Sequence, residues 1–255
     1  MTAGKSNWKE MRIIYGPLLL LVLAGLFVAF HFIKPAPPKQ IVIATGEPKG
    51  AYYGFAQQYK QQLADEGIAL EIVETRGSVD NIERLRSGKV DIAFVQGGTA
   101  PQDARDLGLV SLASLYYEPL WLFHKPGLQL DRIGKLPGLE VAVGAQASGT
   151  LSLVSRLLED NRINHGNISW VTLNGSAAMR KLLQQQIDAA FFVSSANSDI
   201  IQQLLHSERV ELASFERADA YTRRHHFLNE LTLPEGAEDL EKNIPDRDVR
   251  LLATT

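Results

Sequence analysis

Cysteine is absent from this 255-residue chain. That excludes disulfides, thiolate metal sites and cysteine nucleophiles, and leaves stability to packing. Positive charge is also scarce where it would matter. Residues 1–39 hold Lys5, Lys9, Arg12, Lys34 and Lys39 against Glu10 alone, so the remainder carries 21 basic and 28 acidic residues, a net charge of −7. A domain of that sign lacks the clustered Lys and Arg that phosphate contacts require, and nucleic acid is not an expected partner. Catalytic signatures are missing as well. Ser148 does not sit in a G-x-S-x-G elbow, none of the six histidines stands in a triad or metal-ligand pattern, and Gly46-Glu47-Pro48-Lys49-Gly50 lacks the Ser or Thr that must follow a P-loop lysine. His225-His226, behind Arg223-Arg224, reads as a solvated helix end. No enzymatic activity, cofactor or metal is expected.

What the chain does have is 45% hydrophobic and 22% charged residues, a globular composition, and one long apolar run. Residues 13–33 carry no formal charge. At 1.5 Å per residue a helix of that length matches a hydrocarbon core of roughly 30 Å, with Pro17 expected in its first turn. The run is longer than a signal-peptide core, so an uncleaved anchor is expected. Three basic residues before it and two after it favour an inside N-terminus. The expected organisation is a cytoplasmic segment 1–12, a transmembrane anchor 13–33, a stiff Pro-rich spacer 34–39, lobe 1 at 40–118, lobe 2 at 119–214, and a return segment toward lobe 1 at 215–255. The implied location is the bacterial inner membrane, single-pass, with the working part on the periplasmic side.

The spacing of apolar residues predicts strand, helix, strand, helix, strand over 41–45, 52–64, 69–75, 79–86 and 90–95. The same order recurs over 140–143, 151–158, 168–173, 177–186 and 187–193. A shift of 98 carries Gly46 to Gly144, Gly77 to Gly175 and Ser78 to Ser176, and a shift of 97 carries Asp91 to Asp188 and Phe94 to Phe191. Such recurrence marks equivalent structural positions, hence two similar α/β lobes. The extended apolar segments 110–117 and 120–124 are expected to cross between them.

In open α/β sheets, ligands bind outside the carboxyl ends of the strands. The turns there span 45–53, 76–81, 96–99, 145–150 and 174–176. They supply the candidate ligand-binding residues Thr45, Gly46, Tyr52, Tyr53, Arg76, Gly77, Ser78, Asn81, Gln96, Ser148, Gly149, Thr150, Asn174 and Ser176. Ser78 and Ser176 stand at helix starts, where each can cap the helix, face an anion, or do both. Tyr52 lies on the apolar stripe of its helix, which leaves Tyr53 free for a cleft. Arg76 has the fork geometry for a carboxylate, although a solvated surface position is the plainer expectation.

These residues resemble the TAXI group of extracytoplasmic solute-binding proteins associated with TRAP transporters. The resemblance rests on Ala44-Thr45-Gly46 leading to Gly50-Ala51-Tyr52-Tyr53, on 74–82 and 88–96, and in lobe 2 on Ser148-Gly149-Thr150 and 186–192. It covers roughly 41–195. It implies the two-lobed type II periplasmic-binding fold, a small organic anion such as a dicarboxylate or acidic amino acid as ligand, and TRAP membrane subunits as partners. Glu47-Pro48-Lys49 departs from the more Gly-rich run usual in that group. The end of the chain departs too: residues 251–255 read as an incipient strand where further helices are expected, so lobe 1 is expected to be incomplete and to expose apolar sheet. The alternatives are a membrane-anchored sensory module and, third, an enzyme on the same scaffold.

Overall fold

The computed structural model describes residues 8–32, 38–48, 50–101, 104, 106–164 and 166–254. They form two units, one up to Lys39 and one from Gln40 onward.

The first unit is a helix, α1 (Trp8–Phe32). It begins before the apolar run, because residues 8–12 include the good helix formers Lys, Glu, Met and Arg. Pro17 therefore lies inside the helix rather than in its first turn. Side chains are described from Tyr15 to His31, and their large apolar members are exposed, Leu21 and Phe27 among them. Among the described residues no helix is long and apolar enough to cross a membrane. The stretch 15–31 covers only about 25 Å at 1.5 Å per residue. The expected anchor ends, Ile13 and Ile33, and most of the spacer 34–39 lie outside the described side chains.

The second unit starts with β1 (Gln40–Ala44), α2 (Ala51–Asp65), β2 (Ala69–Val73), α3 (Ser78–Arg86) and β3 (Ile92–Ala93). They make a parallel sheet in the order β2-β1-β3. β4 (Glu118–His124) follows, then β5 (Glu140–Ala142), α4 (Gly149–Asp160), β6 (Ser169–Val171), α5 (Gly175–Leu183) and β7 (Ala189–Val193). β5 pairs in parallel with β6 and β7, so the second sheet begins β6-β5-β7, the same order as the first. The repeat extends to hydrogen bonds. The Asp91 carboxylate accepts the Val42 N–H at 2.8 Å, and the Asp188 carboxylate accepts the Glu140 N–H at 2.9 Å. In each case a side chain stands where a strand partner would. β3 is nonetheless shorter than the apolar run 90–95 predicts, because among the described residues it pairs with β1 alone, whereas β7 pairs with β5 on one side and β4 on the other.

The remaining elements are α6 (Asp199–Leu205), β8 (Glu211–Leu212), α7 (Ala218–Arg224), β9 (Asn229–Leu233) and β10 (Val249–Thr254). They extend the second sheet to β6-β5-β7-β4-β10-β9, with β8 also on β4. The segment 120–124, expected to cross between lobes, is thus the middle of the larger sheet, antiparallel to β7 and β10. Most of the expected return segment is built into the same sheet: Ala218, Tyr221, Leu228, Val249, Leu251 and Leu252 join its core. The physical reason is register. Leu252, Ala253 and Thr254 pair with Leu120, Pro119 and Glu118, which lays the alternating apolar residues of β10 over β4.

The two cores differ in size. The larger holds Trp121, Phe123, Phe191 and Phe215 among many fully buried side chains, whereas the smaller has Ile43, Ala56, Leu70 and Phe94. Residues 109–117 form no strand. Val110 and Leu112 are 80% and 75% exposed, while Tyr116 packs its ring on Phe55 of α2 at 5.0 Å.

Candidate functional site

The carboxyl ends of both parallel sheets open on one cavity of ≈ 170 Å³. That is below the roughly 300 Å³ at which sites for drug-sized ligands begin, so the space suits a compact solute. Among the described residues five helices start at its wall: α2 through Gly50 and Ala51, α3 through Gly77 and Ser78, α4 through Ser148 and Gly149, α5 through Gly175 and Ser176, and the short α6 through its cap Ser198. Their uncompensated N–H groups and positive dipole ends favour an anion.

Of the fourteen residues expected at the site, eleven line this cavity: Gly46, Tyr52, Arg76, Gly77, Ser78, Gln96, Ser148, Gly149, Thr150, Asn174 and Ser176. Thr45, Asn81 and Tyr53 do not, and two of these have clear structural work. The Asn81 amide donates to Thr45 O at 2.6 Å and to Phe94 O at 2.7 Å, and its carbonyl oxygen accepts from the Thr75 hydroxyl at 2.6 Å. The Thr45 hydroxyl donates to Val73 O at 3.0 Å. Both side chains are fully buried and tie the strand ends together. Tyr53, expected to face the cleft, does not line the cavity, whereas Tyr52 both packs on the smaller core and lines it. Tyr52 lines the cavity and stacks on Phe94 at 5.1 Å. In the first turn of α2 the apolar stripe reaches past the ends of the strands, so the face that is core lower down becomes cavity wall there.

Neither serine caps its helix. Gly77, at φ 115, takes the cap position of α3, and the Ser78 hydroxyl accepts the Gln96 N–H at 2.9 Å. Asn174 caps α5, accepting from Ala177 N–H at 2.9 Å, which leaves Ser176 in the first turn with its hydroxyl unengaged among the described residues. Ser148 is a true cap, accepting from Leu151 N–H at 3.1 Å.

Arg76 lies at the mouth, its side chain 63% exposed and its Nε 3.6 Å from Asp80. Burial pushes the Asp80 carboxyl up, but the Arg76 N–H and the Arg84 guanidinium outweigh it and hold the group below its ordinary value.

Two carboxylates at the cavity are not among the residues expected there. Glu47 lines the cavity, and its partial burial raises it. Glu118, first residue of β4, is 6% exposed. It accepts the Tyr52 hydroxyl at 2.6 Å and the Tyr116 hydroxyl at 3.2 Å. Burial pushes it up to about 6, against the lowering effect of the two hydroxyls. A signal was present, since Glu118 is the one charged residue between Leu109 and Phe123. Phe191, Phe192 and Leu173 supply the apolar part of the wall.

Two α/β lobes with a shared cavity at their strand ends define the class of periplasmic solute-binding folds. The profile of the NMT1-like family matches residues 43–246, and the chain belongs to that family. Solved structures of similar fold include an ancestral arginine-binding protein bound to arginine, 17% identical over 70% of this chain and 80% of that one, with a TM-score of 0.52. Another is a truncated arginine-binding protein of T. maritima in its arginine-bound form, 13% identical over 85% of this chain and 88% of that one, at 0.50. A third is a protein of Bordetella bronchiseptica RB50, 16% identical over 87% of this chain and 65% of that one, at 0.55. At these identities the likeness is one of fold.

Proposed function

We propose that this protein is a membrane-tethered, extracytoplasmic solute-binding protein that captures a small organic anion, a dicarboxylate or an acidic amino acid, and releases it unchanged to a TRAP-type transporter. One observation carries the reading: helix N-termini of α2, α3, α4 and α5, two from each repeated unit, converge on one compact cavity. Preorganised N–H groups hold an anion without reorganising, and a site divided between lobes suits closure around a ligand. The TAXI-like sequence patches and the solute-binding neighbours favour binding over catalysis. The apolar, exposed side chains of α1 support attachment to the inner membrane, with the cavity on the periplasmic side.

The test is a thermal-shift screen of the full chain in detergent against carboxylates, amino acids and sulfonates. A binder gains stability as RT ln(1 + [L]/Kd), and the solute is recovered intact. Conversion of the solute to product would sink the proposal.

A further inference from the structure

The cavity holds more negative charge than a receptor for a plain anion needs. Among the described residues its wall carries two carboxylates, Glu47 and Glu118, against one base, Arg76, and that base sits at the mouth beside Asp80. Glu118 is the telling group. It is more than nine-tenths buried, both of its oxygens accept from tyrosine hydroxyls, and among the described residues no Lys, Arg or His pairs with it. Buried carboxylates are ordinarily paired with a cation, because burying a lone charge is costly. Two hydroxyl donors orient the carboxylate and satisfy one lone pair on each oxygen, leaving acceptor capacity and, among the described residues, no counter-charge.

Resting on the solute-receptor reading, we infer that the bound solute supplies this missing cation: it is a zwitterion, its acid group at the helix N-termini and its ammonium or guanidinium group on Glu118. The geometry of the wall separates these two ends. The helix starts at Ser78, Ser148 and Ser176 offer N–H and hydroxyl donors, whereas Glu118, Tyr52 and Tyr116 form a cluster whose outward charge is negative. A dicarboxylate would set one of its charges against that cluster. Burial holds Glu118 high, and an ammonium set beside it stabilises the ionised form and brings that value down.

The experiment titrates the full chain in detergent with matched pairs: L-glutamate against glutarate, 4-aminobutyrate against butyrate, taurine against ethanesulfonate, and each remaining L-amino acid against its desamino acid. The inference expects at least one amine-bearing member to bind at least tenfold tighter than its desamino partner, the size of a charge-assisted contact. In Glu118→Gln that preference should shrink to less than about threefold, whereas Arg76→Ala should weaken both members of a pair alike. The wild-type comparison stands alone if Glu118→Gln does not fold. Equal or tighter binding of the desamino partner or of glutarate overturns this inference and leaves the receptor reading intact. An undiminished preference in folded Glu118→Gln also overturns it. Failure of every compound in both arms overturns both readings.

Discussion

The side-chain amide of Gln96, just beyond β3, donates to the backbone carbonyl of Gly149, the first residue of α4, at 3.4 Å. The contact joins the two repeats across the cavity, together with the bond from Val79 N–H to Ala147 O at 3.3 Å. It also explains the glycine. A Cβ at position 149 would stand 2.5 Å from Gln96 Oε1 and 2.9 Å from its Cδ, and Gln96 is buried with little room to withdraw. Gly149→Ala should therefore hold the lobes apart and weaken solute binding about tenfold, an overpacking cost of roughly 1–3 kcal/mol. Adding Gln96→Ala should restore much of it. Calorimetric titration of the single and double variants checks this, and unchanged affinity in Gly149→Ala would remove the contact from the account.

Asn81 was legible as a site residue and is better understood as a clasp. Asn81→Ala leaves the carbonyls of Thr45 and Phe94 without their amide donor. We expect a loss of about 2–4 kcal/mol in chemical denaturation, from several broken buried hydrogen bonds. A loss below about 0.5 kcal/mol, the usual size of a surface change, would contradict the clasp.

Arg76 should behave in the opposite way. Its exposed ion pair with Asp80 contributes little to stability, about 0–1 kcal/mol. Arg76→Ala should leave the denaturation midpoint nearly unchanged yet weaken binding of an acid-bearing solute about 10- to 100-fold. Unaltered affinity would return the side chain to an ordinary surface role.

Glu118 gives a pH dependence with a definite sign. Its folded value of about 6 lies above the ordinary 4.5, so between these values the folded state holds a proton that the unfolded chain releases. Stability of the unliganded protein should fall as pH rises through that window, by about 2 kcal/mol, and stay at the lower level above it. Glu118→Gln cannot titrate. The stability difference, wild type minus variant, should decline from pH 4.5 to 6; a difference flat across that range would contradict the buried, uncompensated carboxylate.

The repeat was legible because the two lobes bury the same kind of strand. The apolar runs that hold Phe94 and Phe191, each with an aspartate near its start, Asp91 or Asp188, sit at equivalent places in sheets of the same order. Turn glycines and hydroxyls pointed to the cavity for the same reason, since strand ends and helix starts are local features. What was not legible depends on distant pairing. The length of β3 is set by its having one strand partner among the described residues, the placement of residues 218–254 by the register of β10 on β4, and the place of Tyr52 in the cavity wall by where α2 begins relative to its sheet. Glu118 reads as an isolated charge in an apolar segment until the fold brings Tyr52 to it, 66 positions away in the chain.

The central claim is that this cavity captures a compact acid-bearing solute and does not change it. Incubating the purified full chain with the thermal-shift hits and weighing bound and free solute by mass spectrometry tests that most directly. The account predicts one solute per chain, displaced intact on denaturation and bound more weakly in Arg76→Ala. A solute consumed over time, or one bound by Arg76→Ala and Gly149→Ala as tightly as by the wild type, would contradict it.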